Sequence, residues 1–171
     1  MSRKQRNRES DRLAGLWDAH AGSIYAYAAR RVGQVAAPDV VSETFIVAWR
    51  RLDAVPADAE LPWLYGVARN VVRRANRSSA RRLRLSQALA NPADEPSIEA
   101  RVMARNEIAQ ALDMLGETDR EILLLSAWEG LQGHEIAKVT GLTSAAVRMR
   151  LSRTKRTLSR VRNKEECLNE Q

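Results

Sequence analysis

The chain has 171 residues and a formal charge of +7, with 28 basic and 21 acidic side chains, a size suited to one ordinary domain or two small ones. No apolar run is long enough to span a bilayer, and no hydrophobic segment follows the charged opening MSRKQRNRESDR. The sequence therefore reads as soluble and cytoplasmic, without membrane insertion. A single cysteine, Cys167, excludes an internal disulfide framework, and as a lone thiol in a polar tail it reads as incidental rather than as a redox handle.

Helical periodicity dominates and nothing reads as a strand, so the expected fold class is all-α. After a disordered tail over residues 1–10, a first helix is expected from Asp11 to Val32. Leu13, Leu16, Ile24, Tyr27 and Ala28 form its apolar side, and Gly33 stops it. A second helix starts after Pro38, with Asp39 in the first turn where the helix dipole favours an acid, and ends near Leu52. Its buried stripe is Val41, Phe45, Ala48 and Leu52. The opposite side carries Asp39, Glu43, Ile46 and Arg50 with Trp49 on the flank, and an isoleucine and a tryptophan among charges suggest a protein-docking surface.

The loop DAVPADAELP leads into a third helix from Pro62 to about Arg77. With Leu64, Ala68, Val71 and Ala75 turned inward, the outer line reads Trp63, Gly66, Asn70, Arg73 and Arg77. An aromatic ring, an amide and guanidinium groups on one ridge suit unpaired bases and their phosphates. The competing reading of Trp63 is a core residue beside the proline that opens the helix.

The stretch SSARRLRLSQALANPADEPS lacks a sustained stripe and contains two prolines, so it reads as a linker, with helix as an alternative for its start. This gives a first domain over residues 11–79, a linker over 80–97, a second domain over 98–163 and a C-terminal tail over 164–171. Helices are expected at Ile98 to Leu115, Thr118 to Trp128, Gly133 to Val139 and Thr143 to Arg162. Thr118 and Glu121 have the spacing of a capping box, and Thr143 is a plausible N-cap.

HEIAK, at residues 134–138, begins like the zinc-protease signature HExxH, but Lys138 stands where the second imidazole is needed, and no metal or other cofactor is expected. The surrounding segment HEIAKVTGLTSAAVRMRL instead has the order of a helix-turn-helix. Ile136 and Ala137 pack inward, Gly141 makes the turn and Leu142 plugs the corner. At about 100° per residue, Val147, Leu151, Thr154, Leu158 and Val161 share the inner side of the last helix, while Ala145, Met149, Ser152, Arg153 and Arg156 lie opposite.

Arginine suits guanine O6 and N7, serine reads permissively and methionine offers apolar contact, so Arg148, Met149, Ser152 and Arg153 are the base-edge candidates. Lys155 and Arg156 read as phosphate contacts. Two blocks without an acid, one around Arg69 to Arg84 and one from Arg148 to Lys164, support two separate contacts with a polyanion. An enzyme reading finds no clustered acids, no nucleophile with its base and no phosphate-cradling glycine loop.

Together the two halves resemble the extracytoplasmic-function sigma factors of bacterial RNA polymerase, within the sigma-70 family. The resemblance rests on PDVVSETFIVAWRRL, LPWLYGVARNVVRRANR and the long segment from LGETDREILLLSAWEG through RTKRTL, and it runs from about residue 11 to 162. It implies a transcription initiation factor, not an enzyme, that binds core RNA polymerase and promoter DNA, both duplex and melted non-template strand, and that has an anti-sigma partner.

The resemblance places Asp39, Ser42, Glu43 and Arg50 against the polymerase, joining Ile46 and Trp49 on that face. It gives Asn70 and the loop from Asp53 to Glu60 an extruded base of the minus-ten element, with Trp63, Arg73, Arg74 and Arg77 beside it. Arg148, Met149 and Arg153 fall on the minus-thirty-five element. Ser42 stands where the family usually has glutamine, and Met149 where a small polar residue is common. The competing reading is a free-standing helix-turn-helix regulator, whose N-terminal half would dimerise or sense a signal.

Overall fold

Apolar residues recurring every three to four positions fold the chain into helices packed through one buried stripe each. The computed structural model describes residues 3–89, 112 and 114–169, and no strand occurs among them. The helices are α1 (Arg3–Val32), α2 (Ala37–Arg50), α3 (Glu60–Leu89), α4 (Glu117–Ala127), α5 (Gly133–Thr140) and α6 (Ser144–Asn169), with a 3-10 turn at Leu52–Ala54. The chain divides into two compact units, Met1–Leu89 and Ala90–Gln171.

In the first unit α1, α2 and α3 pack on one another. Ile24, Tyr27 and Ala28 of α1, Phe45 and Ala48 of α2, and Leu64 and Ala68 of α3 are buried. The larger of these, such as Ile24, Phe45 and Leu64, each contribute about 1.5–3 kcal/mol relative to exposure, while the alanines let the helices approach closely. The Tyr27 and Tyr65 rings meet with centroids 5.3 Å apart, and Trp17 meets Phe45 edge-on at 4.8 Å. Thr44, wholly buried, is satisfied by donating its hydroxyl to the Val40 carbonyl at 2.7 Å. Leu13 and Ala75, expected inward, are only half-buried at the edges of the core.

Three helix boundaries differ from expectation. α1 begins at Arg3, so the segment read as a disordered tail is helical from there; Gln5 and Glu9, one turn apart, are joined by a hydrogen bond at 3.3 Å. α3 does not stop near Arg77 but runs to Leu89, through the first part of the stretch read as a linker. α6 passes Arg162 and ends at Asn169, taking in Cys167 and most of the expected tail. In each case the segment, rich in arginine, serine or other polar residues, has no sustained apolar stripe, yet most of its residues are adequate helix formers. The helix expected over Ile98 to Leu115 lies almost wholly outside the described residues.

In the second unit Ile122 and Leu125 of α4, Leu131 of the following loop, Ile136 and Val139 of α5 and Val147 of α6 form the core. The Thr118–Glu121 capping box does not form: α4 starts at Glu117 behind Gly116, with no side-chain cap. The earlier start puts both Glu117 and Asp119 in the first turn, where the helix dipole favours them. A capping box forms instead at α5, where the backbone N–H of Gln132 donates to Glu135 Oε2 at 2.7 Å and the Gln132 side chain caps the third residue. Thr143 caps α6 as expected, its hydroxyl accepting from the Ala146 N–H at 3.2 Å.

Gly141 ends α5 in the left-handed region, at φ 73° and ψ 16°, and its N–H returns to the Ala137 carbonyl at 2.9 Å. A Cβ there would meet nothing within 4 Å, so a side chain is opposed by backbone strain alone. Gly141→Ala is therefore expected to destabilise the second unit by about 1–2 kcal/mol, and Gly141→Asn by clearly less, in urea denaturation followed by circular dichroism. Equal stability of Gly141→Ala and the parent would show that the turn relaxes to another conformation.

Candidate nucleic-acid and protein-docking surfaces

The turn at Gly141 and the Thr143 cap set the angle at which α6 leaves α5, and Val147 seats α6 against the core with no exposed surface. Thr154, two turns on, is 2% exposed, which fixes the rotation of the helix about its axis. The opposite face is turned to solvent. Met149 is 62% exposed, and Arg148, Ser152, Arg153, Lys155 and Arg156 are all exposed beside it. A shallow depression along this side is lined by Arg148, Leu151, Ser152, Lys155, Arg156 and Ser159, with three cations and no acid.

Local contacts order part of that face. Arg156 donates to the Ser152 hydroxyl at 3.2 Å, one turn apart. The Cγ of Arg148 lies 3.9 Å from where a Cβ on Gly133 would sit, so its stem passes close to the start of α5. Arg150, counted with the same basic block, behaves differently. It turns back to the first turn of α4 and donates to Asp119 Oδ1 at 2.6 Å, tying the outer helix to the rest of the unit. Helix phase alone leaves Arg150 off the outer face, but its partner, 31 positions away, is not visible in the sequence.

On α3 the inward set Leu64, Ala68 and Val71 is buried, so the ridge opposite is set by helical geometry. Asn70, Arg73, Arg74 and Arg77 are exposed, while Trp63 is half-buried at the N-terminal end, between the two readings of it. The ridge is preceded by the loop from Asp53 to Glu60, whose Val55 and Ala59 side chains are buried while Ala57 and Asp58 are exposed between them.

On α2 the exposed face is the expected one. Trp49 is 60% and Ile46 43% exposed, next to exposed Asp39, Ser42 and Arg50 and half-buried Glu43. Arg74 of α3 and Glu43 of α2 form an ion pair, so a residue expected on the nucleic-acid ridge is joined to one expected on the docking face. Both side chains remain partly exposed, and an exposed pair of this kind contributes roughly 0–1 kcal/mol. Contacts from α1 to the loop before α3 went unread in the sequence: Arg12 and His20 have no local pattern that points at residues 40 or more positions away.

Among the described residues no group of three histidine, cysteine or acidic side chains could hold a metal ion, and no helix is long and apolar enough to cross a membrane.

Comparison with known proteins matches two family models, Sigma-70 region 2 over residues 16–82 and Sigma-70, region 4 over residues 105–158. The sigma factor CnrH of Cupriavidus metallidurans is 34% identical over 167 residues, covering 88% of this chain and 86% of that protein. The ECF sigma factor SigL of Mycobacterium tuberculosis is 32% identical, covering 88% of each. Among solved structures, CnrH in complex with the cytosolic domain of CnrY superposes with a TM-score of 0.61 at 29% identity, covering 88% of this chain and 87% of that one.

Proposed function

We propose a three-way division of labour for this chain, which belongs to the extracytoplasmic-function sigma factors of the sigma-70 family. As a member of that family it is a transcription initiation factor that binds core RNA polymerase and directs it to promoters. In the proposed division, α6 holds duplex DNA, α3 and the loop before it hold melted bases, and α2 ties both to the polymerase.

On α6, Arg148, Met149, Ser152 and Arg153 read base edges of the minus-thirty-five element in the major groove, and Lys155 and Arg156 neutralise phosphate. On α3, Asn70 satisfies the edge of an extruded minus-ten base, Trp63 offers a stacking face, and Arg73, Arg74 and Arg77 run along the backbone. On α2, Asp39, Ser42, Glu43, Ile46, Trp49 and Arg50 form the polymerase-docking face. Extruding a base costs a few kcal/mol, so a site that binds the extruded form stabilises the open promoter without any covalent step. The chain is accordingly read as a non-enzymatic factor acting in the cytoplasm, where the polymerase works. By likeness to CnrH, whose solved structure contains a domain of CnrY, a partner of the anti-sigma kind is proposed as well.

The observation that carries this reading is an outward, one-signed face on α6 of the second unit and a separate exposed ridge on α3 of the first, in a chain matching both sigma regions. Core polymerase reconstituted with the chain should transcribe, from a random promoter library, sequences sharing two separated motifs. Asn70→Ala should relax preference at one position of the downstream motif and leave the upstream one unchanged. Tight duplex binding without polymerase, and no transcription with it, would favour the free-standing regulator.

A further inference from the structure

The loop from Asp53 to Glu60 has little of its own to hold it. Only one backbone bond is internal to it, from Ala59 N–H to the Pro56 carbonyl at 3.2 Å; Ala54 and Val55 donate back to Arg51 and Leu52 at 2.9 and 3.3 Å, and the Ala59 carbonyl accepts from Trp63 N–H at 3.1 Å. Two small buried plugs, Val55 and Ala59, flank the exposed pair Ala57 and Asp58. A short segment with so few bonds samples many conformations unless something outside it selects one.

α1 supplies that selection at both ends. Arg12 Nη2 donates to the Val55 carbonyl at 2.7 Å, a charge-assisted bond to a residue 43 positions away. His20 Nε2 lies 3.3 Å from Glu60 Oε2, with side chains 18% and 32% exposed, and Glu60 opens α3. The two α1 residues are about two turns, roughly 12 Å, apart along the helix. Leu16 between them is buried, which holds α1 against the core. One end of the loop is thus bonded through its backbone and the other through the side chain that begins the ridge-bearing helix.

We infer that Arg12 and His20 are positioning residues for minus-ten recognition, clamping the loop so that it and Asn70 present one preorganised surface to the extruded base. This rests on the reading of α3 and its loop as the minus-ten site. A clamped loop binds its ligand without first being ordered, so the clamp acts on capture of single-stranded DNA and not on polymerase docking or duplex contacts.

The test uses holoenzyme reconstituted with the full chain. The probe is a fluorescein-labelled single-stranded oligonucleotide bearing the downstream motif recovered from the promoter library. Arg12→Ala is expected to weaken oligonucleotide binding about tenfold, the scale of one charge-assisted hydrogen bond, with core affinity unchanged. Arg12→Lys, which keeps a cationic donor, should restore part of the loss. His20→Ala should weaken binding less, and His20→Gln, which keeps a donor toward Glu60, should stay near the parent. Transcription from a pre-opened bubble template should be affected less than from duplex.

Parent-level binding by Arg12→Ala, alongside a clear loss in Asn70→Ala, would overturn the clamp and leave the minus-ten reading standing. Parent-level binding by both variants would overturn the two together. An equal loss of oligonucleotide and core affinity in Arg12→Ala, unrescued by lysine, would show general destabilisation and also overturn the clamp.

Discussion

Alanine at Arg153 is expected to weaken holoenzyme binding to a minus-thirty-five duplex by about 1–3 kcal/mol, roughly 5- to 150-fold, and to relax preference at one base pair; Arg148→Ala should do the same at another. Both side chains stand on the face of α6 turned from the core, and the burial of Val147 and Thr154 prevents the helix from rolling to hide them. Lys155→Ala should behave differently, weakening all sequences alike and lowering the salt slope by about one, because a phosphate contact carries no sequence information. The measurement is fluorescence anisotropy with matched and single-mismatch duplexes across a salt series. If Arg153→Ala lost affinity uniformly for matched and mismatched sites, its assignment to a base edge would be wrong. Arg150→Ala provides the internal contrast. Its partner is Asp119, so its loss should appear first as lower stability of the second unit.

Leu64→Ala should produce the largest stability loss, about 2–5 kcal/mol, by removing a fully buried side chain and leaving a cavity between α3 and its neighbours. Small domains have only about 5–15 kcal/mol in total, so this is a substantial fraction. The proposed docking face of α2 and the proposed minus-ten ridge of α3 are both held by that core. Core-polymerase affinity and minus-ten recognition should therefore fall together. Three of the four tryptophans, Trp17, Trp49 and Trp63, lie in the first unit, so intrinsic fluorescence in urea reports mainly on it. A loss below about 1 kcal/mol would mean that the core closes over the missing side chain far better than is usual.

The legible parts of the fold were those with a local physical cause. The stripe Val41, Phe45 and Ala48 is buried because a helix packed on one side must bury every third or fourth residue, and Leu52 in the 3-10 turn after α2 is buried as well. Gly33 and Gly141 both take positive φ at helix ends, where glycine is the residue without a steric penalty. The turn and the inner side of α6 follow from the same two rules.

The illegible parts depended on partners distant in sequence or on weak competition. The extensions of α1, α3 and α6 have no sustained apolar stripe, so neither period nor composition marks where those helices begin or end. Thr118 lost its capping position because a start two residues earlier suits two acids. For the surfaces, residue type and helix phase identified exposed Met149, Ser152 and Arg153 and left Arg150 off that face, but did not show that Arg150 would pair with Asp119. They also gave no hint that Glu43 and Arg74 would pair, or that Arg12 would reach Val55.

The length of α3 has a mechanical consequence. Thirty residues of unbroken helix make a rod about 45 Å long, with Glu60 at one end and Leu89 at the other. A single residue inserted beyond Arg77 would swing the chain's departure direction by about 100° and advance it only about 1.5 Å, whereas seven would nearly restore the bearing while adding about 10 Å. Angular heading, far more than linear distance, is therefore what that stretch of arginines and serines fixes, and it would tolerate length changes in near-whole turns better than in ones or twos.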